Sequence, residues 1–189
     1  MEGAQALLLD IDHGTYPFVT SSNSVGSYAS VGTPFPHSKM GPTIGVAKAY
    51  LTRVGEGPMP SEFDGEEAED LRKRGQEFGA TTGRPRRVGA LDLDALKQAV
   101  QVADCQYLVI TKADILNGQN EFKYFKNSQF HVHSGWEKIG EDVSSLDANF
   151  RSYIEMIEAH VGVPVLAVGT GAGRNEILWL KNSDILWKE

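Results

Sequence analysis

The chain is 189 residues long, enough for one sizeable core, and its 41% hydrophobic and 23% charged residues are an ordinary globular balance that argues against disorder or fibre. A formal charge of -7 without a long basic run argues against a general nucleic-acid or anionic-membrane surface. Cys105 is the only cysteine, which excludes an internal disulfide and a four-cysteine zinc site. No apolar run approaches the roughly 20 residues of a membrane helix and no signal-peptide pattern opens the chain, so a cytoplasmic location is expected.

Ala6 to Asp10 and Tyr16 to Thr20 are short apolar or β-rich runs flanking the turn-like Asp12-His13-Gly14, and both are expected to be strands. Residues 21–42, loaded with Ser, Gly and Pro, predict a long loop. Ile44 to Val54 is apolar and is broken by Gly55-Glu56-Gly57-Pro58. Glu66 to Arg74 runs from acidic to basic, in the order the helix dipole favours, and Gly75 is a suitable stop. Leu93, Leu96, Val100 and Ala103 have helical spacing, and Tyr107 to Thr111 is a compact β-branched run opening into Lys112-Ala113-Asp114. The aromatics of residues 117–145 have a mixed period, read as a small hairpin-like insertion. Leu146, Phe150, Ile154 and Ile157 mark a helix face, and Val163 to Val168 is a buried strand ending in Gly169-Thr170-Gly171.

Strands alternating with helices, with polar Gly-rich turns after the strands, predict an α/β fold with a mostly parallel sheet and ligands along its carboxyl edge. Any site is therefore expected at Lys112, Asp114 and Gly169 to Gly171. One carboxylate at Asp114 has the shape to accept the ring and exocyclic N–H groups of guanine while the Lys112 stem lies across the base. Taken alone, Thr-Lys-Ala-Asp is weak evidence, because such a tetrapeptide is more often a surface turn after a strand. Gly79 to Arg87 joins glycines, two hydroxyls and cations in a loop suited to carboxylate or phosphate. His13 is a candidate general base, although a histidine in a Gly-containing turn is more often structural. His131 and His133 share a strand face but lack a third metal ligand nearby. The chain contains no Gly-x-x-x-x-Gly-Lys-Ser/Thr loop, Gly-x-Ser-x-Gly elbow or His-Glu-x-x-His pair.

Glu2-Gly3-Ala4-Gln5, Leu9 to Pro17, Val19 to Asn23, Thr52 to Pro58, Phe78 to Arg84 and Thr111 to Asp114 occur in an order that resembles the adenylosuccinate synthetases, which couple GTP hydrolysis to the joining of aspartate to IMP. The resemblance implies a P-loop-NTPase-like synthetase core truncated at its N-terminal half, with residues 1–189 as the C-terminal part of one domain. It implies IMP contacts from Gln5, Thr20, Val54 and Arg84. Aspartate contacts would come from Ala80, Thr81, Thr82, Gly83, Arg84 and Arg86, and GTP contacts from Arg86, Lys112, Asp114, Gly169, Thr170 and Gly171. GTP is the implied co-substrate and Mg²⁺ the implied ion, with its ligands, like the catalytic residues, expected in the family's preceding half. The implied partners are GTP, IMP and L-aspartate, with a homodimer or a complex with an N-terminal half chain; nucleic acid and membrane are not implied. A non-catalytic guanine-nucleotide-binding or regulatory remnant is the competing reading, and a phage-type enzyme using another purine monophosphate keeps the ligase chemistry.

Overall fold

A computed structural model of the chain describes residues 1–79 and 83–181. Its frame is a four-stranded sheet in the order β1 (Thr43–Lys48), β5 (Cys105–Thr111), β8 (Val165–Gly169), β9 (Ile177–Trp179). The first three are parallel and β9 is antiparallel, so the sheet is mostly parallel, as the alternating pattern predicts. Lys48 sits opposite Thr111 and Ile110 opposite Val168, so β1, β5 and β8 all end at one edge. A short pair, β2 (Leu51–Arg53) with β3 (Arg87–Gly89), and a three-stranded group of β4 (Leu91–Asp92), β6 (Glu121–Lys126) and β7 (Gln129–Ser134) complete the strands among the described residues.

The helices follow the chemistry of their ends. Beyond a single turn at α1 (Ala29–Gly32), α2 (Gly65–Arg74) begins with Glu66 and Glu67 and ends with Arg72, Lys73 and Arg74, in the favourable order for the helix dipole. α3 (Leu93–Val102) is capped by Asp92, whose carboxylate accepts from Ala95 N at 2.9 Å. α4 (Ala148–Val161) is capped by Asp147 and closes on Gly162 at φ 84°, a left-handed stop that favours glycine. Phe150, Tyr153, Ile154, Ile157 and Val161 form the buried face of α4.

The hairpin expected in residues 117–145 is β6 and β7, joined through Asn127 and Ser128 at φ 52° and 59°. It belongs to the core. Phe122 meets Trp136 and Tyr153 edge-on at 4.9 and 5.1 Å between ring centres, and Trp136 meets Phe150 at 5.0 Å. His131 and His133 stack on their cross-strand neighbours Tyr124 and Phe122.

The two strands expected in the first 20 residues do not form. Leu7–Leu9 is a 3₁₀ turn, and the chain from Ile11 to Phe18 is a series of turns. The cause is Asp10, fully buried, whose carboxylate accepts backbone N–H groups from Asp12 and His13 at 2.9 Å, from Val25 at 3.3 Å, and from Ser24. A carboxylate meeting four amides curls the backbone around itself and leaves no extended ladder. Gly14 closes the curl, because a Cβ there would overlap the carbonyl oxygens of Leu8 and Asp10. The long segment 21–42 contains only short helical turns among its described residues, at Gly26–Tyr28, Ala29–Gly32 and His37–Lys39.

Burial opposes ionisation of Asp10, but the N–H groups of His13, Ser24, Asp12 and Val25 outweigh it and hold the carboxyl below its ordinary value of 3.8. A depressed carboxyl stabilises the fold above its unfolded value, and that contribution disappears as pH falls through the folded value. Asp10→Asn turns an N–H₂ donor toward amides that need an acceptor and is expected to cost about 2 kcal/mol. Amide hydrogen exchange checks this: protection at Asp12, His13, Ser24 and Val25 falls while that of α4 persists.

Candidate functional site

The shared end of β1, β5 and β8 gathers the charged groups. Lys48 is the last residue of β1 and Lys112 follows the last residue of β5. Lys112 adopts a left-handed conformation, φ 57°, uncommon for a residue with a side chain, and thereby starts the 3₁₀ turn Ala113–Leu116 that carries Asp114. Gly169, at the end of β8, lies beside it: a Cβ there would sit 3.5 Å from Thr111 Cα and 3.7 Å from Lys112 N.

These groups converge on Glu77, whose side chain is 1% exposed. Its Oε1 accepts from Tyr50 Oη at 2.7 Å, Lys48 Nζ at 2.8 Å and Lys112 Nζ at 3.0 Å, and its Oε2 accepts from Arg86 Nη1 at 3.2 Å. Lys112 Nζ also donates to the Gly75 carbonyl at 2.6 Å. Gly75 does more than end α2, because a Cβ there would overlap Tyr50 Oη. Burial opposes ionisation of Glu77, yet its bonds from Lys48, Tyr50 and Lys112 prevail and hold its carboxyl at about 2. Burial pushes the Lys48 ammonium down from its usual range despite Glu77, and both burial and Glu77 push the Tyr50 phenol up.

Asp114 is half-buried, and among the described residues none donates a hydrogen bond to its carboxylate. A half-buried acceptor without a donor, at the carboxyl edge of a parallel sheet, is available to a ligand. Thr170 and Gly171 lie in a turn closed by Glu176, whose carboxylate accepts from Gly173 N and leaves no room for a Cβ at Gly171. The structure thus brings Lys112, Asp114, Gly169 and Arg86 to one region, as the strand pattern predicts for the first three.

Arg86 stands at the base of the cationic loop. Its N–H donates to the Glu77 carbonyl at 3.0 Å, Phe78 bridges Pro85, and Gly79 N donates to Arg84 O at 2.8 Å. Residues 77–79 and 84–86 therefore pair antiparallel, with Gly83 at φ 63° and Arg84 exposed. Ala80, Thr81 and Thr82, expected to bind aspartate, lie outside the described residues.

Of the expected IMP contacts, Arg84 stands on the cationic loop, whereas Val54 and Thr20 belong to a second region. Val54 is 58% exposed on the turn after β2, and that turn is fixed by two arginines. Arg53 reaches Glu56 O at 2.9 Å, Thr15 Oγ1 at 2.8 Å and Phe18 O at 3.0 Å, while Arg87 reaches Gly57 O at 2.8 Å and pairs with Glu62. Thr20 Oγ1 donates to Leu9 O at 2.9 Å, and Gln5 is exposed with φ 72°. His13 is exposed beside α3, with no hydrogen bond or ion pair linking its ring to Glu77, Lys112 or Asp114. No three His, Cys, Asp or Glu side chains among the described residues group as metal ligands.

Sequence reasoning missed Glu77, Lys48 and Tyr50. A lone Glu after a helix carries no motif. Lys48 carried little signal, since it lies inside the apolar run Ile44 to Val54 instead of at its end.

The profile of the adenylosuccinate synthetase family matches residues 1–129. The chain is 46% identical over 207 aligned positions to the adenylosuccinate synthetase of Aquifex aeolicus, covering 95% of this chain and 48% of that relative. Against the enzyme of Thermotoga maritima it is 42% identical, covering 94% and 47%. Its fold matches a fully ligated adenylosuccinate synthetase from Plasmodium falciparum with a TM-score of 0.88 and 32% identity, over 95% of this chain and 49% of that one. A cyanophage S-2L succinoaminodeoxyadenylate synthetase bound to dGMP and dATP shares the fold at a TM-score of 0.64 and 18% identity, over 96% of this chain and 46% of that one. The chain spans about half the length of the curated relatives it matches.

Because the Glu77 carboxyl lies at about 2 in the folded chain and near 4.5 when unfolded, its stabilisation is complete above about pH 4.5 and is lost as pH falls toward about 2. Glu77→Gln leaves Lys48, Lys112 and Arg86 without their counter-charge and is expected to cost about 3 kcal/mol at neutral pH. Urea unfolding across the acid range checks both points: the variant starts less stable and loses less on acidification than the parent.

Proposed function

The chain belongs to the adenylosuccinate synthetase family, and we propose that its 189 residues form the guanine-reading and aspartate-reading half of that GTP-dependent ligase of purine nucleotide synthesis. The observation that carries the reading is Asp114. Its carboxylate has no donor among the described residues and stands two residues after Lys112, whose ammonium is already engaged by Glu77 and the Gly75 carbonyl.

In this reading Asp114 accepts the ring N–H and exocyclic N–H₂ of guanine. Adenine, lacking that donor pair, would leave the carboxylate unsatisfied, and a polar site rejects an analogue that fails to pair with it far more strongly than an apolar one does. With its charge held at Glu77, Lys112 offers the base its aliphatic stem. Gly169, Thr170 and Gly171 line the same edge. Arg86, with one guanidinium nitrogen on Glu77, and Arg84 take the carboxylates of aspartate together with residues 80–83, and Arg86 also approaches the GTP phosphates. Gln5, Thr20, Val54 and Arg84 face IMP, whose position relative to aspartate determines whether the new C–N bond forms.

Magnesium would accompany the phosphates of GTP and neutralise their charge. The described residues do not group three His, Cys, Asp or Glu side chains as ligands for it. Phosphate cradling, proton removal from IMP and acid assistance are assigned to the part of the family's length that this chain does not span, supplied by a half chain or within a dimer of a longer form.

Asp114→Asn exchanges an acceptor for a donor facing the guanine N–H groups. The preference for GDP over ADP is expected to fall by about 2 kcal/mol, roughly 30-fold. Equilibrium dialysis of the two nucleotides against parent and variant measures it, and an unchanged preference removes Asp114 from the site.

A further inference from the structure

The geometry points to Glu77 as the positioning residue that holds Lys112 and Arg86 in one fixed relation, so that the guanine edge and the base of the aspartate loop are set by a single carboxylate. The inference rests on the proposed function for the identity of the two ligands, but its structural core does not.

The position of Glu77 in the chain makes the linkage possible. Gln76 takes a left-handed φ of 50° directly after Gly75, turning the backbone off α2 and into the segment 77–79 that pairs with residues 84–86. Glu77 N donates to Arg72 O at 2.9 Å and Arg86 N donates to Glu77 O at 3.0 Å, so the backbone on either side is fixed before the side chain is considered. The carboxylate then divides its oxygens. Oε1 faces the sheet edge, accepting from Lys48, Tyr50 and Lys112, while Oε2 faces the loop, accepting from Arg86.

Stability alone does not explain this set. One buried carboxylate needs one good counter-charge, and an apolar residue often serves a core as well as an ion cluster does. Here three cations converge on one anion, with Asp114 the further acidic group whose charge is felt at Tyr50. The excess positive charge suits bound anions. The side chains of Lys112 and Arg86 remain 36% and 32% exposed, so each has one part tied down and another open to a ligand. A lysine whose ammonium is tethered presents its stem in one orientation, and an arginine with one nitrogen engaged is restricted in the remaining directions of its fork. Fixing both in advance lowers the ordering cost of binding. Because both tethers end on the same carboxylate, displacement of one changes the other.

Two readouts test this on the full 189-residue chain. The first needs no ligand: with lysine ε-carbons labelled, Arg86→Ala is expected to shift the Lys112 Cε resonance in the parent, and the shift is expected to vanish in a Glu77→Gln background. The second is affinity, measured well below each variant's melting temperature: Glu77→Gln weakens GDP binding by about tenfold or more, and Glu77→Asp recovers part of the loss. Where Glu77→Gln fails to fold, Glu77→Asp and Arg86→Ala carry the same comparison. A Lys112 resonance indifferent to Arg86→Ala, or a folded Glu77→Gln variant that binds GDP like the parent, overturns the proposal. A parent chain that takes GDP and ADP alike defeats the guanine reading instead, and the resonance comparison then decides whether Glu77 links the two cations.

Discussion

The candidate site depends on one parallel register. With Lys48 opposite Thr111 and Ile110 opposite Val168, three strands end together, and whatever follows each strand is delivered to the same edge. A parallel sheet obtains this alignment from buried β-branched and aliphatic runs, here Leu108, Ile110, Val165 and Val168 over the buried faces of α3 and α4. The core therefore does more than stabilise the chain. It determines that Lys48, Lys112 and Gly169 are neighbours, and it leaves room between them and α2 for one carboxylate from outside the sheet.

That carboxylate explains how a cationic edge is held together. Three positive side chains brought together repel one another, and Glu77 offsets enough of that repulsion to keep them in place while leaving a positive excess toward solvent. The second surface, around Val54, is built on the same principle with different groups. There Arg53 and Arg87 donate to the Thr15 hydroxyl and to the carbonyls of Phe18, Gly55, Glu56 and Gly57, so the arginines act as braces. Gly57 is required in that brace, at φ 114° and with a Cβ position that would overlap the Arg53 guanidinium.

The parts of this arrangement that were legible in the sequence are those governed by periodicity and caps. The helical face of α4, the dipole order of α2 and the strands ending at Thr111 and Gly169 all follow local rules, and with them the placement of Lys112, Asp114 and Gly169 at one edge. The first 25 residues did not follow, because their apolar spacing resembles strands while their backbone amides are claimed by Asp10, a contact spanning as many as 15 residues. Glu77 was hidden for the same reason: its partners lie 9 to 35 positions away, and only the fold makes them adjacent. The hairpin at residues 121–134 was visible, but its aromatic contact with α4 was not, since a mixed aromatic period says nothing about which surface the rings meet.

The chain spans about half the length of its relatives, and the central proposal is that these residues read substrates while most of the phosphate handling falls to the rest of the family's length. The most direct test is adenylosuccinate formation, followed spectrophotometrically at saturating GTP, IMP and L-aspartate. The 189-residue polypeptide is assayed alone and then with the complementary N-terminal half of a full-length relative. The account predicts turnover only in the mixture, with GTP preferred to ATP. Turnover by the polypeptide alone, or a mixture that uses ATP as readily as GTP, would contradict it.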